Sequence, residues 1–430
     1  MAITCNETFD VVEDAALDIA DGIITWIGAR ADAPEASGEV RRLGGLVMPG
    51  LVNTHAHTPM TLVRGGGDGL ALMRWLTEVM WPREGQMTAD DVRWGMALGS
   101  AEMLRAGVTT TCEMYLFEDA VIAGAEHAGI RLVMTPGVLA VLHAETFGAA
   151  GSRIDDIAAL HGRAHDPAGT VTIGVAPHSA YDLGVEACAE LAVAARDLDA
   201  LLHIHIAETR DEGAELEAEG GASTVRLLAE AGVLEGRVLA AHSVWLDDAD
   251  LDTYAQLDVA VAHCPVSNMK LGSGTARVPE MRARGIRVGL GTDGPASNDD
   301  LDLWQELKFA PLLARVTALD ASVMGPRDAL LMATREGAAA LGLDDVGSLD
   351  VGKRADLVRL DIDDPAFVPV TNQHELISHL AWSGGSRHVT DVWVQGRQVV
   401  ADRECLTIDM AAAVSEGRKR GLRLARDSGT

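Results

Sequence analysis

Two histidines one residue apart, His55 and His57 in GLVNTHAHTPM, close an apolar run that begins at Leu46. Side chains alternate across a strand, so both imidazoles point one way and Ala56 the other. The pair suits a shared ligand, or it is two strand-end histidines facing water. Further along, HIHIAE ends in His205 and Glu208, AHSVW carries His242 and GLGTDG carries Asp293. His55, His57, His205 and Asp293 make three imidazoles and one carboxylate, a donor set for one borderline divalent ion such as zinc, with Fe2+ or Mn2+ also compatible and a position left for water. Water on such an ion ionises at a pH of roughly 7, which makes hydroxide available. Glu208, three residues past His205, is placed near the metal and not on it, as a general acid and base must be. His242 is placed to hold the hydroxide or to polarise a leaving group.

These residues need a frame that brings distant segments together. Eight short apolar runs, at 46–54, 108–115, 130–139, 171–178, 201–208, 238–245, 259–265 and 287–294, alternate with helical patterns such as MTADDVRWGMALGSAEMLRAG. Continuous apolar strands between helices predict a covered parallel sheet, and eight of them predict closure into a (β/α)8 barrel of the TIM type; a doubly wound open sheet is the alternative. The polar residues fall at the C-terminal ends of the runs, where a barrel carries its active site. The fourth run, VTIGVAPH, has no lysine to carbamylate as a bridge between two metals, which favours a single ion per chain. Residues 11–45 and 347–405 have a different texture, short alternating runs broken by Asp-Gly, Gly-Lys-Arg and Gln-Gly. Those are hairpin signals. The expected division is 1–48 and 346–430 for a small β-sandwich-like domain built from both chain ends, ending in a charged helix near 409–426, with the barrel at 49–345.

Composition narrows the partners. The chain has 430 residues, 48% of them apolar and only 4% aromatic, and a formal charge of −29. Such an acidic surface repels phosphate backbones and anionic lipid, so neither nucleic acid nor membrane is expected, and the partner is a small-molecule substrate. Five cysteines lie scattered with no C-x-x-C pair, and no apolar run is long enough to span a bilayer. Both features predict a cytoplasmic protein. A homo-oligomer is compatible with all of this.

Taken together, THAH, HIHIAET, AHSVWLDD, HCPVSNMKLGSG and GLGTDGPASNDDLDLW resemble the amidohydrolase superfamily in its triazine hydrolase and nucleoside deaminase branch. Within it the chain is most similar to the 5-methylthioadenosine/S-adenosylhomocysteine deaminases, and the likeness runs through GSLDVGKRADLVRLD of the split β domain. The resemblance implies zinc on His55, His57, His205 and Asp293, proton transfer by Glu208 and Asp293, a catalytic role for His242, and hydrolytic release of ammonia from an adenine nucleoside derivative. Guanine, a pterin or a triazine is the alternative substrate, and a non-catalytic scaffold on the same barrel a third reading. In RGGGDGLALMRWLTEVMWPRE, Trp75 and Trp81 offer flat faces for a heterocycle or for loop packing. The family pattern further implies that Glu84 of WPRE binds ribose hydroxyls and that His178 contacts the nucleoside. An arginine expected after the third run is replaced by Met134-Thr135-Pro136-Gly137, and Arg153 in HAETFGAAGSR is matched to a second one. That departure leaves the 5′ substituent open.

Overall fold

The computed structural model describes residues 1–429 apart from 141–149, 213, 215–217, 219 and 220. Its centre is a ring of eight parallel strands: Leu51–Ala56, Val108–Tyr115, Arg131–Val138, Val171–Ile173 continued by Ala176–Pro177, Leu202–Ile206, Val238–His242, Ala260–His263 and Val288–Leu290. The first four and the last four each form a continuous ladder. Isolated parallel bridges join the two halves, Val175 with Leu202 and Ser179 with His205 on one side, Ala56 with Asp293 on the other. Gly291 permits the second of these seams. A Cβ there would stand 2.9 Å from His55 Cβ and 3.0 Å from Cys264 Sγ, so the eighth strand could not lie against the first.

The run at 46–54 proves to be two strands of two different sheets. Leu46–Pro49 pairs antiparallel with Leu357–Leu360 and parallel with Ala2 in the small domain, and only Leu51–Ala56 enters the barrel. Gly50 makes the crossing because a side chain there would collide with Thr109, 2.1 Å from its Oγ1. The small domain is a seven-stranded sheet drawn from both chain ends, covered by the hairpin Ala15–Ala20/Ile23–Ala29. Ile24, Leu357 and Trp393 are buried between the two layers. Asp21-Gly22 and Gln395-Gly396 turn with φ of 51°, 78°, 50° and 73°, the left-handed pairs that tight hairpins require.

The helix Ala89–Arg105 follows the first strand and is capped by Thr88 and Asp91, each side chain bonded to the other's backbone. The C-terminal helix, Met410–Ser428, docks on it: Arg420 and Arg423 reach Asp91 at 2.7 and 2.6 Å. The stretch from Leu72 to Glu84, expected as a loop, is helical throughout, with a π-turn at Leu76–Met80. No helix among the described residues is long and apolar enough to cross a membrane.

Candidate active site

At the C-terminal mouth of the barrel, one nitrogen from each of His55, His57 and His205 lies within 4.8 Å of the other two. Nε2 of His55 and Nε2 of His57 are each 3.3 Å from Oδ1 of Asp293. Ligand atoms about 2 Å from a tetrahedral zinc stand roughly 3.3 Å apart, so these separations fit one ion. The outer nitrogens are already committed: Nδ1 of His57 donates to the Met114 carbonyl at 2.6 Å, and Nδ1 of His205 to the His178 carbonyl at 2.8 Å. Each bond fixes the tautomer that leaves Nε2 bare. Nε2 of His55 is buried with no hydrogen-bond partner, an orphan that a metal would satisfy. The other oxygen of Asp293, Oδ2, accepts from the hydroxyls of Ser267 at 2.6 Å and Ser297 at 2.8 Å. Its own backbone is left-handed, φ 60°, and so is that of His242, φ 69°, a conformation uncommon outside glycine that recurs at functional sites.

Beside this cluster lies Glu208, 3% exposed. Burial pushes its carboxyl up to about 8, helped by the charge of Asp293 and opposed by His57. A carboxylic acid that keeps its proton at neutral pH can give it to a substrate. His242 donates from Nδ1 to Oδ1 of Asn268 at 3.0 Å, and its Nε2 stands 3.7 Å from Glu208.

Above them opens a cavity of about 650 Å³ whose lining includes Trp75, Trp81, Glu84, His178 and Tyr181 together with Leu72, Leu76, Leu116, Leu139 and Leu271. His57, His205, Glu208, His242 and Asp293 form its floor. Trp75 also anchors its own segment, through Nε1 to the Gly66 carbonyl at 3.0 Å. Glu84 accepts from the Tyr115 hydroxyl at 2.8 Å; burial raises its carboxyl and that bond opposes the rise. Arg153 is not among the lining residues. Its guanidinium is buried and ion-paired with Glu118 and, at 3.5 Å, Asp156. Residues 143–149 of the loop that precedes it lie outside the described residues.

Three residues of this architecture were not singled out in the sequence. His203 contacts Nδ1 of His55 at 2.9 Å, and its spacing from His205 repeats that of His55 and His57, which was the available signal. Tyr115 and Glu113 sit in VTTTCEMY, where nothing in the residue types points to a role. Glu113 accepts from the Thr58 backbone at 2.8 Å and the Thr111 hydroxyl at 2.7 Å, tying down the turn that follows His57.

A (β/α)8 barrel with a convergent three-histidine, one-aspartate centre and a buried glutamic acid of raised pKa beside it is the architecture of a metal-dependent hydrolase. The chain belongs to the amidohydrolase family, whose sequence profile matches residues 46–399. It is 39% identical over 420 residues to a 5-methylthioadenosine/S-adenosylhomocysteine deaminase of Pelotomaculum thermopropionicum, covering 96% of this chain and 95% of the relative. It is 39% identical to a 5'-deoxyadenosine deaminase of Methanothermobacter thermautotrophicus, with 94% and 93% covered. Its fold superposes on the crystal structure of an adenosine deaminase from Xanthomonas campestris with bound zinc, with a TM-score of 0.92 at 33% identity, over 99% of this chain and 97% of that one.

Proposed function

We propose that the protein is a zinc-dependent hydrolytic deaminase of adenine nucleosides carrying a small neutral 5′ group, such as 5-methylthioadenosine or 5'-deoxyadenosine. The observation that carries this reading is the pairing, within one cavity, of the metal-type floor and Glu208 with a second carboxylate, Glu84, held at the rim by Tyr115. Glu84 offers acceptors at a spacing suited to the two vicinal hydroxyls of a ribose. Trp81 and His178 supply flat faces along the base and sugar. The leucines between them suit an apolar 5′ substituent, and no Arg or Lys lines the cavity among the described residues. Arg153, spent on Glu118, is not part of the proposal.

His55, His57, His205 and Asp293 would hold the ion, and zinc supplies hydroxide at neutral pH by lowering the pKa of water to roughly 7. Glu208 gives its proton to the ring nitrogen next to the amino-bearing carbon as water adds there. His242, with Nδ1 committed to Asn268, presents a lone pair on Nε2 that orients the incoming water. Asp293 takes a proton from the adding water and passes it to the departing amine, the remaining hydroxyl proton returns to Glu208 as the ring carbonyl forms, and ammonia leaves. A cytoplasmic setting belongs to the same proposal and rests on the cysteines, all unpaired and four of the five buried.

Ammonia release from the zinc-loaded protein, assayed across adenine nucleosides, free purines, pterins and triazines, tests the assignment. Turnover is expected for the nucleosides, with 2′,3′-dideoxyadenosine much poorer than adenosine. Preference for a base without ribose would replace this reading with that of another heterocycle.

A further inference from the structure

Of the three histidines in the metal-type set, His57 and His205 direct Nδ1 to backbone carbonyls, groups that can only accept. His55 instead faces a second imidazole. Nδ1 of His55 lies 2.9 Å from Nε2 of His203, whose own Nδ1 lies 3.0 Å from the Thr135 hydroxyl. An imidazole at that place can donate or accept, and only one choice leaves His55 able to bind a metal. The Thr135 hydroxyl has one proton and gives it to the Glu113 carbonyl at 2.9 Å, so it meets His203 as an acceptor. Nδ1 of His203 therefore carries a proton, directed to the nearer Thr135 oxygen with Cys112 Sγ, 3.5 Å away, as a weak second acceptor; its Nε2 carries a lone pair, and Nδ1 of His55 donates to that lone pair. Run the other way, the chain would place a proton on Nε2 of His55, facing Asp293, with no electron pair left for an ion.

We propose that His203 is a positioning residue for the metal, which, with Thr135 setting its direction, holds His55 in the one tautomer that can ligate. The proposal rests on the reading of His55 as a ligand. All three links are buried, with His55 and His203 each 0% exposed and Thr135 also 0%, so no water competes for them.

Zinc affinity, measured by competition with a chromophoric chelator, tests the relay independently of turnover. His203→Leu removes both links and should weaken zinc binding about 10- to 100-fold, the usual effect of deleting such a support. His203→Gln, whose amide can both accept and donate, should recover most of that loss. Thr135→Val keeps the shape but frees the direction, and should give a smaller loss in the same sense. If His203→Leu does not fold, Thr135→Val carries the test alone. Wild-type zinc affinity in the leucine or valine variant, even with a lowered Tm, would overturn the proposal. Failure of the underlying reading looks different: His55→Ala would then bind zinc as tightly as the wild-type chain.

Discussion

The floor of the cavity and its rim are built on opposite principles. On the floor the ring nitrogens and the carboxylate lean on fixed partners: His57 on the Met114 carbonyl, His205 on the His178 carbonyl, Asp293 on the hydroxyls of Ser267 and Ser297. The bridges that close the barrel, Ala56 with Asp293 and Ser179 with His205, run through these same positions. At the rim, leucines and tryptophans on a short helical segment surround one carboxylate, held there by the Tyr115 hydroxyl. A floor so constrained sets chemistry, which fails when an atom moves by an ångström. A rim of apolar faces sets affinity and tolerates substitution in graded steps.

Substitutions that separate the two regions should therefore differ in kind. The largest effect is expected from His55→Ala, which should abolish both zinc retention, read by metal analysis, and ammonia release. Glu208→Gln should keep its zinc while kcat falls by about 10²- to 10⁴-fold, the contribution of a placed proton carrier; near-normal turnover in that variant would assign the proton to another group. At the rim, Glu84→Ala should lower kcat/KM for ribonucleosides by roughly 10- to 100-fold, the loss of hydrogen bonds to a charged group. The 2′,3′-dideoxy analogue should be nearly indifferent to that change, and an equal loss with both substrates would remove Glu84 from ribose binding. Trp81→Ala should raise KM only about several-fold, as expected for one apolar face among several.

Away from both regions, Asp91 joins the helix after the first strand to the C-terminal helix. Burial would raise its carboxyl, but bonds from Thr88, Arg420 and Arg423 prevail and hold it at about 2. Because the folded value lies below the unfolded one of roughly 3.9, its stabilisation is present above that pH and lost as pH falls toward 2. Asp91→Asn should cost about 1 kcal/mol near neutrality, lowering Tm while leaving kcat unchanged, and the deficit should shrink between pH 4 and pH 2.

The fold was legible because its signals are local and periodic. Apolar runs separated by helical spacing do not depend on what they touch, so the number of strands and the polar residues at their ends could be read directly. The break inside the run at 46–54 escaped that reading, since Pro49-Gly50 interrupts the run only through a collision with Thr109 on another strand. The helix from Leu72 to Glu84 escaped it too, because three glycines at 65–67 and Pro82 resemble a loop. Within the site, His-x-His was legible at 55 and 57 by its position at a strand end. The same spacing at 203 and 205 was read for one histidine only, since His203 acts through His55 and not on the ion.

By itself the sequence determined the repeating strand-helix units, the sandwich texture of the two chain ends, and the residue types of the metal-type set, because alternation along a strand decides which side chains share a face. Tertiary structure alone decided which carbonyl, hydroxyl or imidazole each of those residues leans on. It placed Tyr115 under Glu84 and His203 behind His55, and it left Arg153 in an ion pair outside the cavity. Those partners lie dozens to hundreds of residues apart, and hydrogen bonds reach only about 3 Å, so no local pattern carries them.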